Sequence, residues 1–131
     1  MQQESYSQVV NQSVALENQL VPPASNEAQA GQMLITLYDG AIRFVELARE
    51  QIRAGNASAK EISLSKAYAI IAEFMNSLDF EMAPELCTNL YNIYEFMLAQ
   101  LVEANSSMNA DELSPVVDHL VELRDAWNQV V

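Results

Sequence analysis

His119 and Cys87 are the only histidine and the only cysteine in the chain, so the chemistry that an imidazole or a thiol offers has one candidate each. The Glu-x-x-His pair of di-iron bundles is missing, because Val116 stands three residues before His119. A bundle-surface histidine beside Asp118 and facing Glu122 is the expectation, with no metal bound. Cys87 has no base near it in sequence, and its expected role is a buried thiol packed as a small apolar group beside Tyr91. Carboxylate pairs such as Glu46 with Glu50, or Asp111 with Glu112, have the groups for acid and base work. Charges on outward helix positions, however, are ordinarily a solvated face. No Gly-rich loop follows a strand, and no Gly-Lys-Ser or Gly-Lys-Thr occurs to cradle a phosphate. The expectation is a protein that is no enzyme and needs no cofactor.

The elements that would position any site are helices. Half of the 131 residues are hydrophobic, while Gly numbers only 3 and Pro only 4, which favours long helices over a turn-rich sandwich or barrel. In helix A, from Ala28 to about Ala54, Leu34, Leu37, Ala41, Phe44 or Val45, Ala48 and Ile52 recur at spacings of three and four, one face of a helix. Gly55-Asn56 should end it. Helix B is expected from about Ser58 to Asp79 on Leu64, Ala67, Ile71, Phe74 and Leu78. Helix C should open on Pro84 and run to about Asn105, and it carries two adjoining stripes. One is Leu86, Leu90, Ile93, Met97 and Leu101; the other is Cys87, Tyr91, Tyr94 and Leu98. A helix so apolar either sits centrally in the core or leaves a greasy face for a partner. Helix D follows Leu113, Val116 or Val117, Leu120, Leu123, Trp127 and Val130. Its expected start is near Asp111 with an early kink at Pro115, the alternative being Ser114 as cap with Pro115 as first residue.

Four such helices of roughly 22 residues, each about 33 Å long, joined by short turns, predict an all-α, antiparallel up-down four-helix bundle over residues 27–131. Residues 1–26 differ in composition. Gln, Ser and Asn dominate Met1 to Leu20, and Val21-Pro22-Pro23-Ala24-Ser25-Asn26 reads as a stiff linker. This N-terminal arm is expected to be mobile, with Tyr6, Val9, Val10, Leu16 and Leu20 spaced to form one face of a short docking helix. Gly40, within helix A, costs about 1 kcal/mol against Ala. Close approach of a neighbouring helix is the favoured explanation and close approach of a bound peptide the second.

Charge and length exclude several functions. The net charge of −12, from 18 carboxylates against 6 basic side chains, repels nucleic-acid phosphates and anionic lipid on average. The densest apolar segment, Leu90 to Val102, is interrupted by Asn92, Glu95 and Gln100 and is too short to span a bilayer, so no membrane insertion is expected. A lone cysteine and no cleavable apolar leader at Met1 to Leu20 predict a cytoplasmic protein.

Specific strings then carry a resemblance. They are Met33-Leu34-Ile35-Thr36-Leu37-Tyr38-Asp39-Gly40-Ala41, Ser77-Leu78-Asp79, Asn89-Leu90-Tyr91-Asn92-Ile93-Tyr94-Glu95-Phe96-Met97 and Leu123-Arg124-Asp125-Ala126-Trp127, preceded by Tyr6-Ser7-Gln8-Val9. In this order, over about Ala28 to Gln129, they resemble the FliS-type flagellin export chaperones. The chain departs from that family at Ala99-Gln100, where a basic pair is common, and in the turn Asn105 to Ala110.

The resemblance implies a cytoplasmic four-helix bundle that binds the C-terminal segment of flagellin, prevents its premature polymerisation and delivers it to a component of the flagellar type III export gate. It implies a partner laid into apolar grooves, as helix-in-groove recognition and folding on binding allow. The expected groove residues are Leu37, Tyr38 and Ile42 on helix A, Leu78 and Phe80 at the end of B, and Tyr91 and Tyr94 on C, with core as the rival position for each. Tyr6 and Val9 are expected to dock the arm. A homodimer formed by exchanging arms is compatible with this, and a bundle holding a small apolar ligand in its core is a rival from a different class.

Overall fold

The computed structural model describes residues 27–130. Its helices, in chain order, are α1 (Glu27–Arg53), α2 (Ala57–Asn76), α3 (Pro84–Ser107) and α4 (Ser114–Val130), and a single 3-10 turn, Ala110–Leu113, leads into the last. No strand occurs among the described residues. α1 packs against α2 and α4, α3 packs against the same two, and the short connections reverse the chain each time. This is the expected four-helix bundle; the arm and linker lie outside the described residues.

The turns follow from local chemistry. Gly55, at φ 73°, ends α1 in the left-handed region that it enters without a Cβ penalty. The Gly55 N–H then bonds to the Ile52 carbonyl and the Asn56 N–H to that of Gln51, satisfying two of the orphan carbonyls of α1. The same Asn56 opens α2, its Oδ1 accepting from the Ala59 N–H at 3.2 Å. α2 stops at Asn76, three residues before the expected Asp79. The Ser77 hydroxyl donates to the Phe74 carbonyl, and the Asp79 carboxylate accepts from the Glu81 N–H, so polar side chains draw the backbone out of the helix. Pro84 opens α3 where no intrahelical N–H is lost.

The start of the last helix combines the two readings of Pro115. Coiling begins at Ala110, capped by Asn109 Oδ1 on the Asp111 N–H, but as a 3-10 turn. Proline has no N–H for the carbonyl of Asp111, four residues back, and its ring crowds that carbonyl. The Ser114 N–H takes that carbonyl instead, and the α-helix proper begins there.

The core is built from one stripe per helix: Leu34, Tyr38, Ala41, Val45, Ala48 and Ile52 on α1, Leu64, Ala67, Ile71 and Phe74 on α2, Cys87 to Ala104 on α3, and Val116, Leu120, Leu123 and Trp127 on α4. Toward the α2–α3 turn each helix contributes one aromatic to a common layer. Tyr38 stacks on Phe74 with ring centroids 4.2 Å apart, and Trp127 tilts toward Tyr38 at 6.3 Å. Tyr94 lies 6.0 Å from Phe74, and its hydroxyl shares a 2.6 Å hydrogen bond with that of Tyr38. That bond joins α1 to α3 across the bundle diagonal. At the opposite end the Lys60 ammonium, on a buried residue, donates to the carbonyl and side-chain oxygens of Asn105. It neutralises the negative end of the α3 dipole.

Gly40 has room. A Cβ there would meet only Ile70 Cδ1, at 3.9 Å, an ordinary contact, so close helix approach does not require this glycine. Gly40→Ala is therefore expected to raise unfolding stability by about 0.5–1 kcal/mol, read from urea titration. A fall in partner affinity in the same variant would assign Gly40 to a bound peptide; unchanged affinity would remove that role.

Candidate partner-binding surface

The described residues hold no cluster of three or more His, Cys, Asp or Glu with metal-ligand geometry. His119 is half-buried and meets the edge of the Phe96 ring at 5.8 Å, a contact between α4 and α3. Cys87 is buried, and its thiol donates to the Asp79 carbonyl at 3.3 Å. Burial pushes this thiol above its ordinary value, and the Asp79 charge adds to the rise while the backbone hydrogen bond opposes it. With the folded value raised, the thiolate forms less readily in the native state. Stability is then held at and below neutral pH and is lost as pH climbs past the ordinary thiol range. Alkylation by iodoacetamide at pH 7.5 should be at least about 100-fold slower than in urea-unfolded chain, since the thiolate is the nucleophile. Comparable rates would show that Cys87 is open to solvent.

Some of the outward side chains are apolar. Ile62, Tyr68, Phe80, Met82, Tyr91, Phe96 and Val102 are exposed on α2, the following turn and α3, beside Met33 and Leu47 on α1 and Met108 after α3. Phe80 and Tyr91 meet edge-on at 6.1 Å, the turn delivering one ring and α3 the other. Farther along the same two helices, Glu61, Leu64, Ser65, Tyr68, Leu101, Val102 and Asn105 line an open cleft of about 390 Å³. Leu64 and Leu101 are core residues, so the cleft has an apolar floor. Tyr91 and Val102 lie eleven residues apart, three turns along one edge of α3 and about 16 Å by helical rise.

The predicted groove residues separate into three groups. Phe80 and Tyr91 are exposed and in contact. Leu37, Ile42 and Leu78 are half-buried and pack against the core. Tyr38 and Tyr94 are 1% and 2% exposed and bonded to each other inside the bundle, where a docking chain does not reach them. Tyr6 and Val9 lie outside the described residues. Tyr68 and Val102, absent from the expected set, flank the cleft. Each directly follows a core position, Ala67 and Leu101, and an apolar residue one step past the stripe is the signal that marks them.

The surface between α2 and α3 thus presents apolar side chains edged by Tyr68, Phe80 and Tyr91. A family model described as Flagellar protein FliS matches residues 13–131. The chain belongs to the FliS family. Among its relatives, the flagellar secretion chaperone FliS of Bacillus subtilis is 31% identical over 106 residues, covering 81% of this chain and 78% of the relative. The Salmonella typhimurium FliS, another flagellar secretion chaperone, is 33% identical over 111 residues, 84% of this chain and 82% of its own. The Pseudomonas aeruginosa flagellar secretion chaperone FliSB is 31% identical over 119 residues, 91% and 90% of the two chains. These named relatives are all chaperones. No described helix is long and apolar enough to cross a membrane.

Proposed function

We propose that this protein is a cytoplasmic flagellar export chaperone that binds the C-terminal segment of flagellin in apolar surface grooves. It keeps flagellin from polymerising early and delivers it to the flagellar type III export apparatus through a component of the export gate. The observation that carries the reading is the exposed apolar row of α2 and α3 on a bundle whose family relatives are named flagellar secretion chaperones. The groove contacts are Phe80 and Tyr91 at one end and Tyr68 and Val102 at the other, with Leu37, Ile42 and Leu78 as partly covered flanks. Tyr6 and Val9 dock the arm against the bundle or the export machinery.

Binding of an unfolded tail orders it, so it costs chain entropy that buried apolar area must exceed. Calorimetric titration with the C-terminal peptide of the same organism's flagellin is expected to give one-to-one binding with a negative heat-capacity change. No heat and no mass shift of the complex would sink the chaperone reading.

A further inference from the structure

From Ala67 to Leu123 the chain has no Lys or Arg. The α2–α3 groove lies largely within this stretch, and the two lysines of α2 are engaged elsewhere. Lys60 is buried against Asn105, and Lys66 sits over the Phe44 ring of α1, 5.4 Å from its centroid. Glu61 lines the groove at its cleft end. Glu95, exposed, stands one turn beyond Tyr91 and two turns before Val102 on the same edge of α3. Neither carboxylate has a cationic partner among the described residues. The groove is thus an apolar floor between aromatic edges with an acidic rim and no basic group to balance it.

We infer that the α2–α3 groove takes an amphipathic helix of about three turns whose apolar stripe is flanked by Lys or Arg, the cations meeting Glu61 and Glu95. This states the chemistry of the occupant and goes beyond the proposed function, because it holds whether or not that occupant comes from flagellin. Charge argues against the two other occupants at hand. Residues 1–26 carry Glu4 and Glu17 and no Lys or Arg, so the chain's own arm would bring like charge to the rim. A second copy would bring a further net −12. Complementary charge speeds encounter and selects partners, while the apolar floor supplies the area.

The test uses the full chain and two labelled 14-residue peptides, a leucine–lysine amphipathic helix and its leucine–glutamate counterpart, followed by fluorescence anisotropy. The lysine peptide is expected to bind about tenfold or more tighter than the glutamate peptide. Glu61→Lys with Glu95→Lys should weaken it roughly tenfold, while the control pair Glu73→Lys with Glu122→Lys, the same change in net charge outside the groove, should change it less than about threefold. Val102→Ser, at an exposed position and with the fold checked by circular dichroism, should abolish most of the remaining binding. Equal loss in the two charge-reversal pairs would mean that bulk charge alone attracts the peptide and would overturn the inference. It is overturned equally if deleting residues 1–20 raises affinity for both peptides alike, giving the groove to the arm. A concentration-dependent dimer that Val102→Ser dissociates would give it to a second copy.

Discussion

Phe74→Ala is expected to lower unfolding stability by about 3–5 kcal/mol, the range for deleting a buried aromatic ring. The residue belongs to the aromatic layer that all four helices share, stacked on Tyr38 and tilted against Tyr94. Removing it takes away three kinds of stabilisation together: apolar burial, ring–ring contact of about 0.5–1.5 kcal/mol, and support for the neighbouring tyrosines. The bundle relaxes poorly around the gap, because the layer is pinned by a hydrogen bond between α1 and α3 and by Trp127 from α4. Against a total stability of order 5–15 kcal/mol, such a loss is a large share. A melting-temperature drop of roughly 10–20 °C, with an unchanged urea m-value, is the expected readout. A drop under about 3 °C would mean that the layer is loosely packed and the bundle held elsewhere. Phe74→Leu, keeping most of the volume, should recover at least about half of the loss.

That layer also marks where sequence reasoning about this chain succeeds and where it stops. The positions Leu34, Ala41, Ala48 and Ile52 are legible because burial imposes the helical period on them directly, whereas the expected Leu37 gives its core place to Tyr38, and Val45 takes the place left open between it and Phe44. The helix boundaries were less legible where side chains compete for the backbone. The apolar period of α2 runs on to Leu78, yet the hydroxyl of Ser77 and the carboxylate of Asp79 end the helix sooner. At Pro115 the two sequence alternatives were both partly right, because the missing N–H tightens the preceding turn into 3-10 geometry without stopping the coil.

The sorting of tyrosines into core and surface was not legible at all. Tyr38, Tyr91 and Tyr94 each sit on an apolar stripe, and their hydroxyls suit a wet rim or a buried bond equally well. What separates them is pairing across the bundle: the hydroxyls of Tyr38 and Tyr94 meet on the diagonal, whereas Tyr91 meets the ring of Phe80, from a turn whose path no periodicity dictates. The flagellin partner rests on the family strings, since period and charge by themselves specify only a helical bundle with surplus apolar surface.

The same separation yields the sharpest functional prediction. Phe80→Ala with Tyr91→Ala should weaken binding of the flagellin C-terminal peptide about 10- to 100-fold, as losing a paired aromatic anchor does at an interface. It should shift unfolding stability by less than about 1 kcal/mol, because both rings are already exposed and their mutual contact is a surface one. Tyr38→Phe should do the reverse. It breaks the buried hydroxyl pair and costs about 1–2 kcal/mol of stability, yet it leaves peptide affinity within about twofold, since the ring stays in the core and touches no partner. The two variants together form a crossed test, in which each substitution moves one measurement and spares the other. If Tyr38→Phe lowered affinity as much as the Phe80–Tyr91 pair, the bundle would have to open to admit its partner. The groove would then be an entrance to the core and not the binding surface itself.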